Sequence, residues 1–154
     1  MKIQICMFAL AVFLGSAVVC SAQSPHMGTW KLNEAKSKLA KGGPKNTTVV
    51  YEAAGDMIKV TVDGVDAAGN ATHNEWTGKF DGKDYDETGS PTADKRSYRR
   101  VNSRTLSMRE KKGSKIVTTA TITVAANGKS RTVTSDGTNA EGKRFHNVAV
   151  YDKQ

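Results

Sequence analysis

The feature that most constrains this chain is a repeated alternation of apolar and polar residues in short segments. Ile58, Val60 and Val62 alternate with polar neighbours, and Val148 and Val150 repeat the pattern near the end of the chain. Alternation with a period of two places apolar side chains on one face of a strand and polar ones on the other. Many short segments of this kind, with turn residues between them, are typical of an all-β protein.

Glycine and asparagine occupy the gaps between these segments, at 68–70, 81–82, 112–114 and 127–128. These residue types supply the positive φ angles that tight hairpins need. We therefore predict about ten strands in an antiparallel meander, which would remove its exposed edges most simply by closing into a barrel. The predicted strands span residues 28–33, 46–53, 56–64, 70–79, 82–87, 95–101, 103–110, 114–124, 129–136 and 143–152.

A single segment, Asn33 to Ala40, has a helical pattern. Asn33 can cap its start, Ala35 and Leu39 form a minimal apolar stripe, and residues 42–44 (Gly-Gly-Pro) stop it. One or two helical turns are expected. The predicted fold is therefore an all-β, antiparallel up-and-down β-barrel of about ten strands with one short helical segment.

The first 22 residues have the pattern of an export signal. Lys2 supplies a positive charge, residues 3–19 are almost wholly apolar, and Cys20 to Ala22 are the small residues that precede a signal-peptidase cut. We predict cleavage after Ala22, which leaves residues 23–154 as a single secreted or periplasmic domain. Acylation of Cys20, as in a lipoprotein, stays open as an alternative.

The two ends of this predicted domain resemble a known group of barrels. Gly28-Thr29-Trp30 begins the first strand, a short helical piece follows it, and residues 148–153 (Val-Ala-Val-Tyr-Asp-Lys) close the last strand. This arrangement around a meander of hairpins resembles the lipocalin and fatty-acid-binding-protein group, the calycins. The resemblance implies that Gly28 and Trp30 plug the closed end of the barrel. It also implies a lipocalin-like interior that holds a small molecule.

One departure from that group bears on the ligand. Fatty-acid-binding proteins usually have an arginine two residues before the terminal tyrosine, and the pair grips the ligand carboxylate. Here Tyr151 is present, but the arginine position is Ala149. The helical segment is also too short for a two-helix lid. The departure argues against fatty-acid binding by that mode and for a more open mouth.

The candidate ligand contacts come from strand parity. Trp76 and Phe80 share parity with Thr72, Asn74 and Gly78, which gives a face of large rings, small gaps and a few polar atoms, as in ligand cavities. Large side chains are also too few to fill a ten-stranded barrel, so its interior should hold water or a guest. We predict lining by Trp76, Phe80 and Tyr98, with Arg131 and Tyr151 as polar anchors.

Basic residues are concentrated between Lys95 and Lys115, where nine lysines and arginines accompany one acid, Glu110. The net charge of the whole chain is +8, so the rest of the chain is close to neutral. This hairpin predicts weak contact with an anionic envelope surface, or else a solvated strand pair kept from aggregating by its charge. Only Tyr98 is interleaved for stacking on bases, so nucleic acid is not an expected partner.

The sequence has no pattern of a catalytic or metal site. His26, His73 and His146 are scattered, both cysteines fall within the predicted signal, and no serine nucleophile elbow is present. We expect a monomer that is not an enzyme and has no cofactor or metal. Two functional classes stay open: a carrier of a small apolar or amphiphilic molecule, and an envelope-associated interaction protein whose barrel is filled.

Overall fold

The structure, a computed structural model, describes residues 24–41 and 43–154. The predicted signal peptide, residues 1–22, lies outside the described residues. Ten antiparallel strands form a closed barrel in chain order, in which the first strand pairs with both the second and the last. This confirms the predicted fold class. The strands are β1 Gly28–Leu32, β2 Lys45–Ala54, β3 Met57–Val65, β4 Ala71–Gly78, β5 Tyr85–Thr88, β6 Lys95–Asn102, β7 Thr105–Lys112, β8 Lys115–Val124, β9 Ser130–Thr138 and β10 Arg144–Lys153.

The helical segment is a single 3₁₀ turn, Glu34–Lys36, and is shorter than the predicted range 33–40. Asn33 caps it through its side-chain oxygen, as predicted. After the turn, Lys38 pairs with Val148 of β10 through backbone hydrogen bonds of 2.7 and 2.8 Å, so pairing with the barrel replaces further helix. No helix in the described ranges is long and apolar enough to cross a membrane.

One end of the barrel, called here the closed end, is packed with rings. The Trp30 indole is fully buried, and its Nε1 donates to the carbonyl oxygen of His26 at 2.8 Å. The Arg131 guanidinium lies 4.8 Å from the Trp30 ring centre and 5.0 Å from that of Tyr51. Phe80 meets the rings of His26 and Tyr51 edge-on. Trp30 thus lies buried among the rings at this end of the barrel.

β5 has the shortest pairing in the barrel. It has only two registered residue pairs with β4 and two with β6. Within β4 and β5, the pair Trp76 and Glu87 directs both side chains inward, and both are buried. β5 therefore brings a carboxyl group into the barrel interior.

Candidate functional site: a polar-floored barrel cavity

The half of the barrel opposite the closed end contains a cavity of about 390 Å³. The loops at 66–68, 89–92 and 138–141 border its entrance. Its volume lies within the range of roughly 300–1,000 Å³ that small-molecule sites occupy. The large apolar side chains of its wall are Leu32, Leu39, Met108, Val133 and Phe145.

A group of polar side chains, called here the Arg96 cluster, separates this cavity from the closed end. Arg96 Nη2 donates to Glu87 Oε1 at 2.5 Å and to Asn74 Oδ1 at 3.1 Å, and it lies 2.9 Å from Glu110 Oε1. Arg96 Nη1 lies 3.4 Å from the hydroxyl oxygen of Tyr98. All of these residues except Tyr98 line the cavity. The cavity thus has an ionic, hydrogen-bonded floor beneath apolar walls.

Strand register assembles this floor. Arg96 on β6 pairs directly with Glu110 on β7 and with Tyr85 on β5. Glu87 follows Tyr85 by two residues and therefore points to the same inner face. Inner-face neighbours on adjacent strands lie within reach of long side chains, which is why one guanidinium meets two carboxylates.

Burial sets the protonation of the cluster. The Glu87 side chain is 0% exposed, and burial raises its pKa to about 7, with the Arg96 charge opposing the shift and the Glu110 charge adding to it. Glu87 Oε2 is buried and has no hydrogen-bond partner among the described residues. Arg96 stays protonated because a guanidinium does not lose its proton in proteins. The cluster therefore carries a net charge between zero and minus one near neutral pH.

Of the five predicted ligand contacts, one lines the cavity and the other four lie in the packed part of the barrel beneath it. Tyr151 lines the cavity, and its hydroxyl donates to the carbonyl oxygen of Asn46 at 3.0 Å. Burial raises the Tyr151 pKa to about 12, against the effect of the Arg131 charge. The anchor Arg131 itself lies 5.0 Å from the Tyr151 ring centre, on the closed-end side.

The other three predicted contacts form the aromatic layer under the Arg96 cluster. The ring centres of Trp76 and Tyr98 are 4.8 Å apart, and those of Phe80 and Tyr98 are 5.7 Å apart. Trp76 Nε1 donates to the carbonyl oxygen of Arg96 at 2.8 Å. None of the three is among the residues that line the cavity, so direct ligand contact by them stays a prediction.

Arg96 belongs to the basic segment between Lys95 and Lys115, which was predicted to be exposed, and for Arg96 this is wrong because it is 3% exposed and points inward. The sequence contained a signal for this inward position: Arg96 shares strand parity with Tyr98 on β6, and Glu110 shares it with Leu106 on β7. An isolated basic residue on an apolar face is easily assigned to solvent, since the partner carboxyl groups come from other strands.

The described part of the chain contains no group of three or more His, Cys, Asp or Glu side chains placed to hold a metal ion. No family model matches the chain, and no curated protein matches it.

Solved structures do match. A structure described as EF1p2_mFAP2b bound to DFHBI has a TM-score of 0.50 and 9% sequence identity, over 84% of this chain and 94% of the other. The shared feature is the β-barrel fold. A second, described as a redesigned beta barrel, mFAP1, bound to DFHBI, has a TM-score of 0.48 and 11% identity, over 84% of this chain and 95% of the other. At this identity the first match is evidence for the fold alone. A closed ten-stranded barrel is also consistent with a calycin-like architecture.

Proposed function

We propose that this protein is an exported, non-catalytic binding protein of the calycin type, and that it holds a small apolar or amphiphilic molecule in the cavity above the Arg96 cluster. The observation that carries the proposal is the division of the interior. Rings fill the closed end, whereas the opposite half keeps a cavity of about 390 Å³ with an entrance between loops. A scaffold with a filled barrel would need no such space.

The lining supports an amphiphilic ligand in particular. Apolar side chains such as Leu39, Met108 and Phe145 can bury a hydrocarbon portion, while the Arg96 cluster offers fixed polar atoms at the far end. Apolar walls with a few convergent polar groups are characteristic of small-molecule sites. Ala149 also lines the cavity, and its small side chain keeps the space open where fatty-acid-binding proteins place an arginine.

Titration with the neutral fluorescent probe N-phenyl-1-naphthylamine tests the proposal. We expect saturable binding to the chain without its first 22 residues, with one site per protein. Ala149→Phe should abolish this binding, because the added ring fills the cavity from β10. Thr121→Phe, which adds the same ring to an exposed position on β8, is the matched control and should bind normally.

Circular dichroism and thermal unfolding will establish that both variants fold. Equal probe binding by folded Ala149→Phe and by the unmodified protein would place the probe outside the cavity and contradict the proposal.

A second candidate function rests on the exposed basic residues of β6 to β8 and of the turn between β6 and β7. Of the nine basic residues there, Arg96 is internal, and Lys95 and Lys111 pair with Asp86 and Asp84. The other six are exposed, and we call them the basic strip: Arg99, Arg100, Arg104, Arg109, Lys112 and Lys115. A strip of uncompensated cations favours weak contact with an anionic envelope surface. This surface is separate from the cavity, so the two functions are compatible.

A further inference from the structure

The charge of the cavity is opposite in sign to the charge of the protein. The whole chain has a net charge of +8. Its cavity lining has two basic residues and four acidic ones, which are Lys45, Arg96, Asp66, Glu87, Glu110 and Glu141. One of the two cations, Lys45, is already paired at 2.7 Å with Glu34, which lies outside the lining. Asp66 and Glu141 lie on the entrance loops, and Glu87 and Glu110 lie at the floor, so acidic residues outnumber basic ones along the cavity lining of a basic molecule.

Arg96, the basic residue at the cavity floor, is not free to bind a ligand anion. The Arg96 guanidinium contacts two carboxyl groups, Glu87 at 2.5 Å and Glu110 at 2.9 Å, and its side chain is 4% exposed. A ligand carboxylate would have to displace one of them or lie beside both. Like charges at short range in a poorly solvated site are strongly disfavoured. The cluster therefore repels anions despite its arginine.

Acceptor atoms remain on the carboxyl side of the cluster. The Glu110 side chain is 15% exposed and faces the cavity, while the buried Glu87 Oε2 has no partner among the described residues. Asn74, with its carbonyl oxygen turned toward Arg96, also lines the site. A carboxylate accepts hydrogen bonds and has no proton to donate when ionised. The cavity floor therefore favours a group that donates hydrogen bonds, and a positively charged donor would be bound most strongly.

We infer that the cavity takes an amphiphile with a cationic amine head, whose ammonium donates to Glu110 at the surface of the Arg96 cluster while its hydrocarbon part packs on Leu39, Met108 and Phe145. This inference rests on the proposed function, because it names the ligand class of the same cavity. Hydrogen bonds to charged groups are about twice as strong as neutral ones. The head group, and not only the apolar portion, therefore decides which amphiphile is bound.

Three probes with the same ten-carbon chain test the inference: decylamine, decanol and decanoate, each below its micelle concentration at pH 7.5. Isothermal titration calorimetry gives their dissociation constants. We expect decylamine to bind about tenfold more tightly than decanol, with decanoate weakest. Non-specific attraction to a protein of net charge +8 would give the reverse order of the two ions, so the surface cannot imitate this result.

Glu110→Gln should remove most of the preference for decylamine over decanol, because it removes the cavity-facing carboxylate charge and keeps the shape of the side chain. Glu52→Gln on the exposed outer side of β2 is the matched control, since it removes the same charge and should keep the full preference. Glu87→Gln provides a second variant if Glu110→Gln does not fold.

The outcomes separate the inference from the proposed function. Equal binding of the three probes, or tightest binding of decanoate, would overturn the inference and leave the carrier proposal standing. An equal effect of Glu52→Gln and Glu110→Gln would overturn the assignment to the Arg96 cluster. Failure of all three ten-carbon probes and of N-phenyl-1-naphthylamine to bind would overturn the proposed function itself.

Discussion

Arg96 and Glu110 are directly opposite on β6 and β7, and Arg96 Nη2 lies 2.9 Å from Glu110 Oε1 inside the barrel. With Glu87 as the second partner, the guanidinium is held by two carboxyl groups from its two neighbouring strands. The shortest strand, β5, is thereby joined through a side chain to β6 and β7. The cluster therefore has a structural role as well as a binding one.

Loss of the guanidinium alone should be costly. Arg96→Met leaves two carboxyl groups facing each other without compensation, and we expect a loss of about 3 kcal/mol in the free energy of unfolding. Adding Glu87→Gln and Glu110→Gln to Arg96→Met should restore much of this loss, since the repulsion disappears. Urea unfolding at pH 7.5 measures both effects.

Arg99→Met on the exposed face of β6 is the control for this series and should change stability by less than about 0.5 kcal/mol. Equal stability of Arg96→Met and Arg99→Met would show that the buried cluster does not contribute to folding.

Glu87 should make the protein less stable as pH rises. Its pKa is raised from 4.5 to about 7 in the folded state, so between these values the folded chain binds more protons than the unfolded chain. The stabilisation is fully present below pH 4.5 and is lost as pH rises through 7, by about 3 kcal/mol over this range. Glu87→Gln should lack this loss, so its advantage over the unmodified protein should grow between pH 5 and 8 in urea titrations. A constant difference between the two profiles would contradict the assigned pKa.

His26 should have the opposite effect. Burial, followed by the charges of Arg131, Arg100 and Lys153, lowers its pKa from 6.5 to about 4. The folded chain therefore binds fewer protons than the unfolded chain between these values, and stability is lost as pH falls from 6.5 through 4. His26→Leu replaces the buried imidazole by an apolar side chain and should remove that acid-side loss.

The same urea titrations, run from pH 4 to 7, measure the effect of His26→Leu. Thr121→Leu is the control, because it adds the same side chain at an exposed position on β8 and removes no titratable group, so the profile shape should stay unchanged near pH 4. An identical acid-side slope in His26→Leu and the unmodified protein would refute this assignment.

The basic strip predicts salt-dependent binding to anionic vesicles. Reversal of Arg99, Arg100 and Arg104 to glutamate should remove co-sedimentation with vesicles of phosphatidylglycerol and phosphatidylcholine at low salt. Binding of the unmodified protein should fade by about 0.15 M salt, where exposed charges are screened beyond roughly 8 Å. Reversal of Lys31, Lys129 and Lys143, which are exposed elsewhere, changes the net charge equally and should weaken binding less. Equal loss in the two triple variants would indicate net charge, and not the strip, as the cause.

The alternation of residues and the turn glycines were enough to predict the fold. Strand bounds depend on local pattern, and the barrel follows from the number of antiparallel strands. Ile116 shows where this reasoning fails. It shares strand parity with Ala120 and Ile122, a pattern that predicts an inner position, but the register shifts between Glu110 and Lys111, and Ile116 is 46% exposed. A register shift of one residue depends on the partner strand, and the local sequence pattern carries no information about that strand.

The site was less predictable for a similar reason. Trp76 and Tyr98 were correctly expected to face the interior, yet nothing in their spacing tells which layer of the barrel is packed and which is empty. That depends on how side chains from ten strands share the volume. The Arg96 cluster is assembled from four strands, β4 to β7, and no two of its charged members are close enough in sequence to form a motif.

Both indoles of this domain donate to a backbone carbonyl oxygen, but Trp76 donates to Arg96 beside the cavity floor and Trp30 donates to His26 at the closed end, so they are unequal as optical reporters. Trp30 lies under Arg131 and Lys153, far from the cavity entrance, so its emission should be indifferent to an occupant. The fluorescence emission of Trp76 should instead change when β6, which carries Arg96, moves. Intrinsic fluorescence should therefore report an occupant of the cavity through Trp76, with no dye attached.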